Sequence, residues 1–248
     1  KNAEVKLREV KNDSVDKYSA YMVEAIKDTD MKMEARSMAC VLLRGDMWPT
    51  DPAEQSMWMK LSNETREYMK EQILHLLWTE KEKTILNKIA ELASEVAVSI
   101  NDVDRNDIWP DLFTNAKQLI AKGIDIQIEA GLNIYTETFR SMCNEIVEND
   151  KDLFDMFKTT LEHQNIQISL CSLQAVSQLL SVVQPKYANH FLGLLESMAK
   201  LPMRALEEDD EAVLEDAMVE FNAMAEAEPK FFKNHFGDLF NIFDQIIS

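Results

Sequence analysis

Glycine and proline are scarce in this chain of 248 residues, which holds 5 glycines and 6 prolines. The β-branched residues do not form the alternating runs between turn signals that predict strands. The glycines are widely scattered, so the sequence has no glycine-rich loop of the kind that binds phosphate. These absences predict an all-α protein.

Long apolar runs are missing as well. The sequence has no stretch of about 18 uncharged apolar residues, so it predicts no membrane-spanning helix. No signal peptide opens the chain. Lys1 is not an initiator Met, and the first predicted helix begins midway, so we expect a fragment of a longer protein.

Cysteine is rare, and Cys40, Cys143 and Cys171 lie in the apolar stripes of separate predicted helices. An odd, scattered set predicts reduced thiols in a cytosolic or nuclear setting rather than a disulfide framework. Buried cysteines of this kind pack as small hydrophobic residues.

Positive charge is also in short supply, and the formal net charge is -18. Residues 126–248 carry 8 Lys/Arg against 21 Asp/Glu, whereas residues 1–125 carry 18 against 23. Such a surface repels nucleic acid, which is bound by cations that replace its counterions. It would attract a basic protein partner, and the alternative is that the charge only solvates the surface.

The chain is rich in amphipathic helical pairs, of which residues 83–120 are the clearest. The first helix carries an apolar stripe at steps of three and four residues, and a polar break at 101–107 follows it. Pro110 suits the first turn of the second helix. A short loop predicts antiparallel helices whose stripes face each other. The two stripes are Ile85, Ile89, Leu92, Val96, and Leu112, Ala116, Leu119.

Similar stripes recur along the chain. First helices carry Ala35, Met38, Ala39, Leu42; Ile128, Leu132, Tyr135, Phe139, Met142, Ile146; Ile168, Ala175, Leu179, Val182; and Val213, Ala217, Phe221, Met224. Second helices carry Met69, Ile73, Leu76; Leu153, Phe157, Leu161; Phe191, Leu194, Met198, Leu201; and Phe232, Phe236, Leu239, Phe243, Ile246. Pro202 is expected to kink or end its helix.

Equivalent points at Met38, Ile89, Ile134, Ala175 and Ala217 are 51, 45, 41 and 42 residues apart. A period of about 40–47 with two helices per unit indicates a HEAT-repeat solenoid, and a loop insertion at 45–63 accounts for the long first step. We predict one solenoid of about six antiparallel helix pairs over 1–248, with approximate repeats at 1–28, 30–80, 81–122, 124–164, 165–206 and 209–248.

Metal and catalytic motifs are not convincing. Asp102, Asp104 and Asn106 match the first ligands of a calcium loop, but Asp107 stands where a glycine is needed and Phe113 where a glutamate is needed. The four histidines, His75, His163, His190 and His235, lack a Cys or His at ligand spacing. The sequence therefore predicts no enzyme, no metal and no cofactor.

Three ordered segments resemble the importin-β (karyopherin-β) family. Ala39-Cys40-Val41-Leu42-Leu43-Arg44 resembles the end of that family's second-repeat first helix, with Gly45 in place of a second Arg. Lys88–Ala93 and Trp109–Leu112 are similar to the third repeat and its Trp-Pro helix start. The branch that matches best is importin beta-3 (importin five), on Asp209-Asp210-Glu211 and Glu228-Pro229-Lys230-Phe231.

This resemblance implies a right-handed α-α superhelix with first helices outside and second helices inside. It implies a nuclear transport receptor (importin) that shuttles between cytoplasm and nucleus. The inner N-terminal surface of the family binds the small GTPase Ran in its GTP form, which displaces basic cargo proteins. Outer grooves between first helices take nucleoporin Phe-Gly repeats. On this reading the chain is the N-terminal Ran-binding arch, with no direct contact to nucleic acid or membrane.

Candidate contacts follow from placing residues opposite the core stripes. The expected Ran-binding residues on second helices are Glu64, Glu67, Glu71, Asp111, Asn115 and Gln118. Leu179, Val183, Met218 and Phe221 are expected to flank a nucleoporin-binding groove. The acidic link, Glu207, Glu208, Asp209, Asp210 and Glu211, could reach basic cargo or Ran, or could be a solvated linker.

Two other classes stay open at this point. One is a HEAT-repeat scaffold of another assembly, such as a phosphatase scaffolding subunit, although such scaffolds have more uniform repeats. The other is a helical enzyme, which would need a convergent polar pocket with perturbed carboxylates.

Overall fold

The computed structural model describes residues 2–48, 55–103 and 108–227, together with residues 229 and 237. Throughout these ranges the regular structure is helical and no strand occurs, which confirms the predicted all-α class. The chain forms two compact units, Lys1–Leu119 and Ile120–Ser248. The last predicted helix, Phe232 to Ile246, lies outside the described residues, as do Asp104, Asn106 and Asp107 of the calcium-like loop.

The first unit is built from seven helices in its described ranges: α1 Asn2–Asp13, α2 Val15–Lys27, α3 Met33–Met47, α4 Met57–Lys60, α5 Asn63–Thr79, α6 Lys83–Val103 and α7 Pro110–Lys122, whose last turn enters the second unit. Helix α3 packs on α2 and α6, and α5 packs on the same two helices. Helices α3 and α5 therefore both contact α2 on one side and α6 on the other, as stacked helical repeats do.

The second unit contains α8 Asp125–Asn149, α9 Leu153–Leu161, α10 Ile166–Val182, α11 Pro185–Ala188, a 3₁₀ segment at Asn189–Leu194, α12 Leu195–Glu207 and α13 Glu211–Ala227. Helix α10 lies at its centre and packs against α8, α9, α12 and α13. It carries no charged side chain, which suits a helix covered on most sides.

Most of the predicted stripes form the core. Ile85, Ile89, Leu92 and Val96 of α6 are at most 1 % exposed, and Leu112, Ala116 and Leu119 of α7 are fully buried. The predicted core residues of α5, α8, α9, α12 and α13 are buried too. Pro110 begins α7, as predicted, because a proline there loses no helical hydrogen bond.

The stripe predicted for α3 is confirmed at Ala39 and wrong at Met38 and Leu42. Met38 is 55 % exposed and Leu42 is 36 % exposed, whereas Arg36, Ala39, Cys40, Leu43 and Met47 are buried. The helix is rotated because Arg36 turns inward to bond buried oxygens, which an apolar pattern cannot detect. Val182, at the last position of α10, is also 38 % exposed instead of buried.

Three predicted breaks begin later than expected or are absent. Gly45 lies inside α3, which continues to Met47, and α6 runs on to Val103. Pro202 is buried inside α12, which continues to Glu207. These residues are accommodated in helices because packing on neighbouring helices outweighs their low intrinsic helix propensity. Cys40 and Cys143 are buried, and Cys171 is partly exposed.

No helix among the described residues is long and apolar enough to cross a membrane.

Candidate protein-binding surfaces

The solvent-facing side of α5 carries three of the predicted contact residues. Ser62 caps this helix by accepting a hydrogen bond from the Thr65 N–H at 3.3 Å. Met69 and Ile73 point into the core, which leaves the opposite side to solvent. Glu64, Glu67 and Glu71, spaced by three and four residues, are exposed on that side, so their carboxylates form one acidic strip. The Glu67 carboxylate is paired with Lys70 at 2.6 Å.

Helix α7 adds Asp111 and Gln118, both exposed, but Asn115 has a different role. The Asn115 Oδ1 accepts the Trp78 indole N–H at 2.8 Å, and its Nδ2 donates to the Asp111 carbonyl at 2.9 Å. Both ends of the amide are therefore used inside the protein. Asn115 links α5 to α7, and its role as a contact residue stays a prediction.

Helix α2 lies beside α5 and extends the acidic strip. The Tyr68 hydroxyl and Lys27 both donate to Glu24, and these hydrogen bonds lower the pKa of the Glu24 carboxyl. The Asp16 carboxylate accepts the Ser62 N–H at 2.9 Å, and this bond lowers the pKa of Asp16. The two helices are thus joined by polar contacts along their length.

Tyr21 on α2 was missed by the sequence reasoning. Its side chain is 62 % exposed, three residues from Glu24 along the same helix. Exposed tyrosines are common energetic anchors in protein interfaces. The available signal was its position outside the apolar stripe of α2, which Tyr18, Met22 and Ile26 form. We define the acidic face as Tyr21, Glu24, Glu64, Glu67, Glu71, Asp111 and Gln118.

The predicted apolar groove on the second unit is closed. Leu179 is fully buried, Phe221 is 4 % exposed and Val183 is 8 % exposed, while Met218 is partly exposed. Helices α10 and α13 pack directly on each other. An inserted phenylalanine would need the two helices to separate, so direct docking at this position is corrected.

An apolar face that is exposed lies instead on α3. Met38, Val41 and Leu42 share one side of the helix by their spacing and are 55 %, 38 % and 36 % exposed. Three large apolar side chains at adjacent surface positions are more than the single exposed residues that any protein shows.

The acidic segment 207–211 forms the turn between α12 and α13, and four of its five acidic residues are exposed. Glu207 ends α12, Asp209 has a φ of 58°, and the Asp210 N–H donates to the Ala205 carbonyl at 2.9 Å. The Asp210 Oδ1 then caps α13 by accepting the Val213 N–H at 3.1 Å. This turn holds the carboxylates in fixed positions on the surface of the second unit.

Catalytic or metal chemistry finds no support in the described ranges. No group of three or more His, Cys, Asp or Glu side chains could hold a metal ion there. The His163 Nδ1 accepts the Asn165 N–H at 3.0 Å, and His190 lies edge-on to Tyr187. His235 is outside the described residues. Burial raises the pKa of the Cys40 and Cys143 thiols to about 12, which makes them poor nucleophiles.

Paired helices that stack on their neighbours are typical of a helical-repeat protein. The model of the IPO5-like family with TPR repeats matches residues 81–242, which is more than half of the chain. The chain therefore belongs to this IPO5-like family, within the importin-β karyopherins.

Solved structures of Kap121p, a karyopherin, have a similar fold. The structure of Kap121p alone matches with a TM-score of 0.84 at 16% sequence identity over 99% of this chain. The structures of Kap121p bound to RanGTP and to Nup53p match with TM-scores of 0.79 and 0.77, both at 16% identity, over 99% and 93% of this chain. These matches confirm the predicted HEAT-repeat fold class. The chain spans about a fifth of the length of Kap121p, 22% in the RanGTP-bound structure.

Proposed function

We propose that this chain is part of a nuclear transport receptor and that its acidic face binds the GTP form of Ran. Membership of the IPO5-like family and the fold shared with RanGTP-bound Kap121p support this proposal. Cargo with a basic surface competes for the same region, so the two ligands are negatively coupled and Ran-GTP releases cargo. The chain acts by binding and performs no covalent chemistry.

The observation that carries the proposal is the acidic strip of α5. Glu64, Glu67 and Glu71 are exposed in a row, and Asp111 of α7 adds a fourth carboxylate. Charges arranged this way speed association with a basic surface and disfavour acidic partners. Tyr21 and Gln118 supply the contact area and hydrogen bonding that carboxylates alone lack.

A charge-reversal experiment tests this assignment. We expect Glu64→Lys/Glu71→Lys to weaken Ran-GTP binding by roughly tenfold or more at low salt, and less at high salt, because screening shortens the range of the attraction. The matched control is Glu215→Lys/Glu226→Lys, which reverses two exposed charges on α13. Equal weakening by both pairs would show that only net charge matters and would refute the assigned site.

We assign nucleoporin Phe-Gly repeats to the exposed apolar face of α3, in place of the closed position between α10 and α13. A structure of Kap121p bound to the nucleoporin Nup53p supports a nucleoporin as the partner. A phenylalanine ring that is buried against Met38 and Leu42 would gain roughly 1.5–3 kcal/mol.

Peptide binding tests the α3 assignment. Met38→Ser/Leu42→Ser should weaken binding of a Phe-Gly peptide and leave the melting temperature nearly unchanged, because both side chains are exposed. Val219→Ser on α13, where the side chain is 57 % exposed, is the control. Undiminished peptide binding by the double variant would exclude this face.

A further inference from the structure

The first unit holds a buried charged network that joins α2, α3, α5 and α6. The Arg36 side chain is 6% exposed and the Glu80 side chain 5%, and the two form an ion pair. The Arg36 Nε also donates to the Ile26 carbonyl in the last turn of α2, at 2.8 Å. The Glu80 Oε1 accepts the N–H groups of Lys81 and Glu82, both at 2.9 Å, just before α6 begins.

This network lies at one end of a row of polar contacts between α2 and α5. Asp16 bonds to Ser62 at the start of both helices, Glu24 bonds to Tyr68 further along, and Arg36 joins Ile26 to Glu80 at their ends. The sequence numbers rise together on both helices, so α2 and α5 run parallel. The two helices are therefore linked at three points, the last of them through Arg36 of α3.

The three contacts differ greatly in how firmly they hold. Those at Asp16 and Glu24 are exposed to solvent, and an exposed polar pair contributes little. Breaking a buried pair leaves an uncompensated charge, so the protein resists any shift that separates Arg36 from Glu80. Sliding α5 past α2 would separate the pair and remove the Ile26 contact at the same time.

We propose that Arg36 and Glu80 are positioning residues that set the register between α2 and α5 and so shape the acidic face for Ran-GTP. This inference rests on the proposed function, because α2 and α5 carry most of that face. A guanidinium can reach the Ile26 carbonyl and the Glu80 carboxylate together, whereas a lysine ammonium cannot reproduce that fork.

The test uses Arg36→Lys, with Arg44→Lys as its matched control. Arg44 lies on the same helix and pairs with Glu91, but its side chain is 39% exposed and it joins α3 to α6. Spin labels on α2 and α5, at cysteines replacing the exposed Lys17 and His75, report the distance between these helices, and Ran-GTP affinity is measured on protein that carries neither label. Cys171 is changed to Ser in this background, since Cys40 and Cys143 are buried.

We expect Arg36→Lys to shift or broaden the measured distance between the labels on α2 and α5 by about 1–2 Å. In the protein without labels, the same substitution should weaken Ran-GTP binding about tenfold at a temperature where that variant is fully folded. Arg44→Lys should change neither quantity. An unchanged distance overturns the inference, and so does a changed distance with unchanged affinity.

Ran-GTP binding by the unaltered protein distinguishes a failure of this inference from a failure of the proposed function. If that protein does not bind Ran-GTP, the proposed function fails, and the role of the network in binding fails with it. If Arg36→Lys does not fold, Glu80→Gln takes its place, because its amide oxygen can still accept the Lys81 and Glu82 N–H groups. The same distance and affinity criteria then decide the inference.

Discussion

Replacement of Phe157 by alanine is the sharpest test of the packing in the second unit. The side chain is fully buried in α9, and its ring centroid lies 6.3 Å from that of Tyr135 and 6.2 Å from that of Phe139. Loss of a buried phenylalanine costs roughly 3–5 kcal/mol, including the cavity left behind. The Tyr135 hydroxyl donates to Asp150 at 3.0 Å, which fixes that ring and limits collapse into the cavity. We therefore expect a cost near the upper end of this range.

Urea denaturation followed by circular dichroism measures the effect. With a dependence of about 1–3 kcal/mol per molar urea, a cost of about 3–5 kcal/mol lowers the midpoint by roughly 1–5 M. All four tryptophans lie in residues 1–119, so tryptophan fluorescence reports the first unit. A loss seen by circular dichroism before the tryptophans respond would locate the damage in the second unit.

Two further variants bracket the Phe157 result. Phe157→Leu should cost less than Phe157→Ala, because it removes less volume from the cluster. Val219→Ala, at a position 57 % exposed, should change stability by no more than about 0.5 kcal/mol. A midpoint for Phe157→Ala that equals that of the unaltered protein would refute the packing described for Tyr135, Phe139 and Phe157.

Three other predictions concern single positions. Asp209→Gly should raise the free energy of unfolding by about 0.5–1 kcal/mol, because glycine adopts the φ of 58° without strain, and a drop in the urea midpoint would contradict this. Burial, assisted by Asp216, raises the pKa of Glu220, so its charge opposes folding at neutral pH. Glu220→Gln should therefore raise the melting temperature at pH 7, with a gain that fades as the pH falls through the raised pKa; exposed Glu215→Gln is the control, and an equal shift would argue against the burial effect. Trp109→Ala should cost roughly 3–5 kcal/mol, since the indole is 3 % exposed, and an unchanged melting curve would remove Trp109 from the core.

Apolar periodicity predicted the interior well wherever a helix has one apolar side. The stripes of α6 and α7 are buried as predicted, although α6 also buries residues beside its stripe, such as Leu86 and Val98. Periodicity mispredicted Met38 and Leu42 of α3, because the buried side of this helix includes Arg36, which bonds to Ile26 and Glu80. The burial of an arginine by partners on other helices cannot be read from the residues around it in the sequence.

Predictions of which side chains are exposed also depended on contacts between residues distant in the sequence. Helix α10 has no charged residue and packs on four other helices, so periodicity could not show that Leu179 is fully buried. Asn115 looked like a free polar contact, but its amide is held by Trp78, which lies 37 positions away in the chain. The exposed positions of Glu64 and Glu71 followed from their place opposite the stripe of α5, because that stripe is regular.

Affinity for Ran in its two nucleotide states tests the central claim most directly. The measurement is titration calorimetry of the whole chain with Ran loaded with GTP and, separately, with GDP. We predict clear binding of the GTP form, much weaker binding of the GDP form, and loss of the GTP-form binding in Glu64→Lys/Glu71→Lys. Equal affinity for both forms, or binding of neither, would contradict the claim.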